Sequence, residues 1–489
     1  MRVDAVVTAA RAGLAPSGMG EMSGSAARPR SIRGGSSGAT TVEELCALLR
    51  SWSTNAESLP ESLAEGIYDL VDAGLLVDGT RLPAQRPLAE ALGVGRNTVA
   101  AAFDILTQRG CLKTVQGSGS TVCGKNLHAA ANWRFSTFGS EPQRVDFSSG
   151  ALPPSSVALA VLEAGVDMQG CYSTTGYFPA GIPALRAAIA HRLALDGLPT
   201  LPSQILVTSG GQHALWLAIH YLVQPGDRVV AEEPTYRGIL QVLQESEAHI
   251  ESTPLEHGGL NVELTRRAIA RGAKVMVCQT GIHNPTGASM PGSHRSALAE
   301  LLAQTGTTAV EDCCSYDLTL QGPPRPMLAA EAEEGRVLTV GTLSKLFWGG
   351  LRIGWIRATE HQIQGLVEMR KVADLGSAVI SQVHALALLD HAEAARAERQ
   401  VWLSERYETT TDVLARYAPE WSWAPIVGGT GLWIDTGQDA TRLAETAKRK
   451  GIKLAPGPSF SAHSGQQTML RFPYGHPPEK VEELLNTIA

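Results

Sequence analysis

The chain reads as a multi-domain α/β protein, with a small helical head tipped by a hairpin and a larger domain built on a mostly parallel sheet. Three observations predict this. Its 489 residues are too many for one hydrophobic core. Residues 58–108 carry apolar positions at helical spacing and lead into a Gly-Ser tip. From Val145 onward, apolar strand-like runs alternate with amphipathic helices.

Composition excludes several classes. A hydrophobic share of 44% with 18% charged residues is that of a soluble globular protein. No apolar run reaches the roughly 18 residues that cross a bilayer, and no compact apolar segment opens the chain as a secretory leader would. Neither membrane insertion nor export is expected. The seven cysteines are odd in number and form no CxxC pair. They fit neither a disulfide framework nor a zinc site, so a reducing cytoplasm without a bound metal is expected. The net charge of −7 gives no sign of nucleic-acid binding for the whole chain. Any DNA contact needs a local patch.

Residues 1–41 are rich in Gly, Ser and Ala and are expected to be a disordered arm. Residues 42–123 form the head: short helices over 42–49 and 58–76, then Gln85–Leu92 broken by Gly93, then Arg96–Gln108 stopped by Gly110. Leu112–Val115, the tip 117–120 and Thr121-Val122 make a wing. The last three of these helices and the Gly-tipped hairpin make a winged helix-turn-helix. At the start of its third helix, Arg96 can reach a guanine edge, and Asn97 and Thr98 can reach phosphate or base edges. Residues 124–144 are polar and unpatterned, and read as a linker. Residues 145–489 hold the strands 205–209, 227–233, 274–279, 307–312 and 336–342. The loops after them collect the unusual residues, as expected where ligands sit at strand C-termini.

Lys345, in GTLSKLFWGGLRIGW, lies among small and polar residues and could form a Schiff base with an aldehyde. Taken alone, a surface loop explains it as well. In TSGGQHAL, small residues join strand to helix, where backbone N–H groups hold a phosphate. EEPTY puts Tyr236 beyond a strand, HNPTG puts Asn284 before a turn, and ED ends a strand at Asp312.

Residues 58–122 resemble the GntR family of bacterial transcription factors in RLP, an Arg before LAEALGV, RNTV and GSG. The resemblance implies that double-stranded DNA is contacted by Arg86 and Arg96, with Thr98 and the Gly117–Gly119 tip near the backbone. Gly95 and Pro87 depart from the pattern. Over 61–124 there are five basic and seven acidic residues, so a dimer presenting two heads is expected to be needed.

Residues 145–489 resemble fold-type I aminotransferases of class I/II, which use pyridoxal 5′-phosphate. That resemblance implies Lys345 as the Schiff-base lysine and Asp312 as the partner of the pyridinium nitrogen. Asn284 would bond the ring oxygen and Tyr236 would stack on the ring. Ser209, Gly210, Gly211, Ser344 and Arg352 would surround the phosphate, and Arg471 would take a carboxylate. Tyr177 corresponds loosely to a tyrosine lent across a dimer interface. The family's second ring-oxygen tyrosine is missing: Cys314 and Ser315 stand in its place, with Tyr316 next. A head of the first kind on a body of the second resembles the MocR-type regulators. This implies a head-to-tail homodimer that senses pyridoxal phosphate or a small amino compound. The competing reading is a working aminotransferase with a vestigial head, in which Lys345 moves protons.

Overall fold

The computed structural model describes residues 40–49, 58–72, 76, 79–108, 111–115, 119–122 and 145–488. It divides into two compact units. The arm up to residue 39, the linker 124–144 and the wing-tip Gly117 lie outside the described residues.

In the head, α1 (Val42–Leu48) opens with a capping box. Glu44 N donates to Thr41 Oγ1 at 3.2 Å, and Thr41 N donates to Glu44 Oε2 at 2.9 Å. Helix α2 spans Leu59–Asp72, and residues 73–75 of the expected helix lie outside the described residues. Helix α3 (Gln85–Leu92) ends at Gly93, whose φ of 69° is the left-handed cap that glycine adopts without a steric penalty. Helix α4 (Arg96–Gln108) turns Val99, Ala102, Phe103 and Leu106 into a core shared with Leu63, Ile67 and Leu88. Strand β1 (Leu112–Val115) pairs antiparallel with β2 (Gly119–Val122). The RLP segment also joins the wing: Leu82 N donates to Ser120 O and Val122 N to Thr80 O.

The larger unit begins with β3 (Val145–Asp146). Its main sheet comprises β4 (Ile205–Thr208), β5 (Arg228–Glu233), β6 (His249–Glu256), β7 (Gly259–Leu260), β8 (Ala273–Cys278), β9 (Thr308–Asp312), β10 (Val337–Thr342) and β11 (Gly354–Arg357). The order is β4-β11-β10-β9-β8-β5-β6-β7. Only β7 and β11 run antiparallel to their neighbours. The central strands are buried on both faces, which is why they read as unbroken apolar runs. Strand β6 is largely polar and β11 is four residues in a glycine-rich stretch, so neither carried that signal.

A smaller sheet, made of β12 (Ser422–Trp423), β13 (Leu432–Asp435), β15 (Ala455–Pro456) and β16 (Met469–Phe472), has a second core against the helices Ala392–Tyr417 and Pro478–Ile488. Strand β14 (Ile452–Lys453) pairs in parallel with β3. No described helix is long and apolar enough to cross a membrane.

Candidate functional site

Strands β4, β5, β8, β9 and β10 run in one direction, so their C-terminal ends share one edge of the sheet. Residues scattered from 209 to 345 in sequence therefore converge there. Lys345 is in the turn after β10, and its Nζ donates to Gly150 O at 2.7 Å. Burial pushes its amine down to about 8, with the Arg471 guanidinium adding and Cys314 and Asp312 opposing. An amine so shifted is partly neutral near physiological pH and can act as nucleophile or base. The turn itself is pinned. Thr342 Oγ1 donates to Ile353 O at 2.9 Å, and Ser344 N donates to Thr342 Oγ1 at 3.2 Å.

Asp312 ends β9 and accepts from Cys314 N at 2.9 Å. Burial raises its carboxyl, against hydrogen bonding from Cys314 and the charge of Lys345. Its neighbour Glu311 points to the opposite face, as strand alternation requires. There Glu311 accepts from Leu328 N at 2.6 Å and Ala329 N at 3.3 Å, so it anchors a short turn. The two acids of the ED pair therefore do different things.

Helix Gly211–Leu222 begins at this edge, capped by Gly210 with φ of 96°. Arg352 Nη2 donates to Ser209 O at 2.8 Å, and a Cβ on Gly210 would stand 2.8 Å from that same nitrogen. A Cβ on Gly211 would strike Cys314 Sγ. Ser209 Oγ lies 3.1 Å from Ser377 Oγ. The N–H groups of the first helical turn and the Arg352 guanidinium thus lie close together, an arrangement that suits an anion.

Asn284 is held by its backbone: its N–H donates to Gln279 Oε1 at 3.0 Å, and its carbonyl accepts from Gln279 Nε2 at 3.1 Å. Tyr236 precedes the helix Arg237–Glu245. Burial pushes its phenol up to about 12, so it stays protonated. Arg471, on β16, is 5% exposed and donates from Nη2 to Thr430 Oγ1 at 2.6 Å. Burial lowers its guanidinium to about 10, and Arg237 adds to the effect. Thr430 is its one hydrogen-bond acceptor among the described residues, which leaves other donors for a carboxylate.

Of the residues that follow Asp312, Cys314 and Tyr316 separate. Cys314 faces Gly211 and Asp312, and burial raises its thiol. Tyr316 turns away, its ring under the Arg396 guanidinium at 5.9 Å and beside Asp196 and Asp317. That aspartate pair fixes Arg396 and Arg192, so Tyr316 belongs to a structural charge network. Tyr177 is 67% exposed. Several contributors escaped the sequence. Gly150, Thr430 and Gln279 act through a carbonyl, a hydroxyl or a backbone clamp, and none stands in a chemically suggestive pattern.

In the head, Arg86 is exposed and pairs with Glu90 at 3.4 Å. Arg96 and Asn97 are exposed in the first turn of α4, and Thr98 is half-buried behind them. Gly119 has φ of 90°, and a Cβ there would stand 3.1 Å from Arg81 Nε.

Residues 142–488 match the family model for aminotransferase class I and II, and residues 59–122 match that for bacterial regulatory proteins of the gntR family. The chain is 32% identical over 326 residues to aromatic-amino-acid aminotransferase 1 of Thermococcus litoralis, covering 63% of this chain and 77% of that one. It is 27% identical over 428 residues to the HTH-type pyridoxine biosynthesis transcriptional regulator PdxR of Corynebacterium glutamicum, covering 86% and 92% respectively. The solved kynurenine aminotransferase of Pyrococcus horikoshii superposes with a TM-score of 0.65 at 25% identity, over 74% of this chain and 93% of that chain. The match to the aminotransferase covers one domain, whereas the match to the regulator spans both. The chain therefore belongs to the aminotransferase class I and II family and joins that domain to a gntR-family helix-turn-helix head, as MocR-type regulators do.

Proposed function

We propose that the protein is a DNA-binding transcriptional regulator whose aminotransferase-like domain holds pyridoxal 5′-phosphate and senses an amino compound at Lys345. The observation that carries this reading is the Lys345 amine, depressed to about 8 and set between Gly150 O, Asp312 and Arg471 in a chain that also has a helix-turn-helix head. The fit to the cofactor rests on three features: that amine, the buried Asp312, and the Gly210-Gly211 backbone packed so closely against Arg352 and Cys314 that neither position admits a Cβ. When bound, pyridoxal phosphate supplies an aldehyde for amines and an electron-withdrawing ring.

Each residue then has a task. Lys345 Nζ would hold the aldehyde carbon, with loss of water, and would give it up to the amine of an incoming compound. Asp312 would keep a proton on the ring nitrogen, Asn284 would donate to the ring oxygen and Tyr236 would cover one face of the ring. Ser209, Gly210, Gly211, Ser344 and Arg352 hold the phosphate, and Arg471 takes the ligand's carboxylate in a bidentate grip. The ring-oxygen tyrosine has no substitute in Tyr316, so Asn284 is left as the donor there. In the head, Arg86, Arg96 and Asn97 face double-stranded DNA, with Thr98, Gly117 and Gly119 near the backbone. We take residues 42–123 as the DNA-binding domain and 145–489 as the sensor, joined by 124–144 and working as a head-to-tail homodimer in the cytoplasm. Ligand and DNA affinity are then coupled reciprocally.

The test is DNA binding by the full chain with and without pyridoxal phosphate and candidate amines, for the parent and for Lys345→Ala. The variant is expected to bind DNA and to lose the amine-dependent change. An amine response that survives the substitution would remove Lys345 as the sensor. Failure to bind its own upstream DNA, together with rapid transamination, would favour the enzyme reading.

A further inference from the structure

Beside Arg471 stand two more cations that the assignments above leave without a task. Arg237 directly follows Tyr236, is 9% exposed, and donates from Nη2 to Ser148 O at 3.1 Å. Its guanidinium carbon lies 6.0 Å from the centroid of the Phe460 ring. Lys453 on β14 is 9% exposed, and its buried Nζ has no hydrogen-bond partner. One stretch of backbone ties the group to the lysine site. Arg237 holds the carbonyl of Ser148, Lys345 holds the carbonyl of Gly150, and Arg471 packs against Gly150 so tightly that a Cβ there would collide with it. Two residues of chain span at most about 7 Å, the reach of a short amino acid side chain.

The charges in this corner do not balance. Asp146 is the one carboxylate acting on both Arg237 and Lys453 among the described residues. Its Oδ1 is already engaged by Ser148 N and Ser148 Oγ, each at 2.7 Å. His476, its ring tilted against Phe147 at 4.1 Å between centroids, is pushed towards its neutral form by burial. Arg237, Lys453 and Arg471 therefore face a single acid. A ligand's α-carboxylate on Arg471 would offset one more charge and leave one. A buried cation without a partner anion is unfavourable, and a second anion would relieve that penalty.

We propose that this pocket selects an amino acid whose side chain ends in a second acid group, with Arg237 as the selecting residue and Lys453 in support. The proposal rests on the reading of Lys345 and Arg471 given above. Its test uses the full-length protein loaded with pyridoxal phosphate and follows the cofactor's absorbance. The ligands titrated are glutamate and 2-aminoadipate, against the neutral glutamine and norleucine. The acids are expected to bind at least about tenfold more tightly than the neutral compounds, with Arg237→Gln erasing most of that preference. Lys453→Met, which keeps the buried stem, is expected to weaken the preference and carries the test if Arg237→Gln does not fold. Equal affinity of acid and neutral compounds for the parent overturns the proposal. So does a preference that survives both substitutions. If neutral amino acids change the absorbance as fully as acids do, only this inference fails. If no amino acid changes it, the reading of the whole site fails as well.

Discussion

The two candidate binding surfaces are built in opposite ways. In the head, Arg86, Arg96 and Asn97 stand exposed on short helices whose buried faces do nothing but pack. In the larger unit, Arg471 and Asp312 are buried, and the charge of Lys345 is reshaped by the groups around it. A polyanion is met by long side chains that keep their water until contact, so each acts nearly alone. A small ligand is met by groups already stripped of water, so each depends on its neighbours. Substitutions of these exposed head residues should therefore change affinity and leave stability alone, whereas substitutions in the site should alter ionisation, ligand response and folding together.

The largest expected effect tests that dependence. Lys345→Ala should abolish the lysine-linked absorbance of the cofactor and the amine-dependent change in DNA binding, with DNA affinity itself retained in a mobility-shift assay. Next, Arg471→Ala should weaken the amino-acid ligand by about 1.5–3 kcal/mol, the range for hydrogen bonds to charged groups, as read by absorbance titration. A loss limited to a few tenths would mean that the carboxylate sits elsewhere. On the other side, Arg96→Ala should cost about 1–3 kcal/mol on the specific operator if it reads a base, with an unchanged urea midpoint. Equal losses on random DNA would make it a phosphate contact.

A pH series separates the two surfaces again. The neutral Lys345 amine is the nucleophile, so capture of pyridoxal phosphate by the cofactor-free protein should quicken about tenfold per pH unit up to about 8 and then level off. The same shift bears on stability. The folded lysine titrates near 8 and the unfolded one near about 10.4. Between those values the unfolded chain binds more protons, so this group's contribution makes the fold more stable as pH rises through that window. Lys345→Met should flatten that slope in urea unfolding. The smallest effect is in the head: Thr41→Ala breaks the capping box and should lower stability by about 1 kcal/mol without touching a DNA contact.

Much of this was legible in the chain. Helices α3 and α4 keep the bounds that Gly93 and the apolar spacing of Val99, Ala102, Phe103 and Leu106 imply. The buried parallel strands announced themselves because both of their faces must be apolar. Strand β11 and the pairing of Leu82 with the wing were not legible, because short strands defined by backbone partners leave no pattern in side chains. Within the site, Lys345 and Asp312 stood out by residue type and position. Gly150, Thr430 and Gln279 did not, since a carbonyl or a hydroxyl becomes functional only through what it faces.

The residues that follow Asp312 show where the division falls. The sequence by itself determined the two-domain plan, the parallel sheet and the order of the chemical groups along it, because periodicity and turn residues act over a few positions. That Cys314 faces Asp312 and Gly211 while Tyr316 packs under Arg396 was decided only by tertiary structure. So was the gathering of Arg237 and Lys453 beside Arg471, and the depressed basicity of Lys345. Desolvation and Coulomb interaction depend on distance in space, and residues 146, 237, 345, 453 and 471 become neighbours only when the chain is folded.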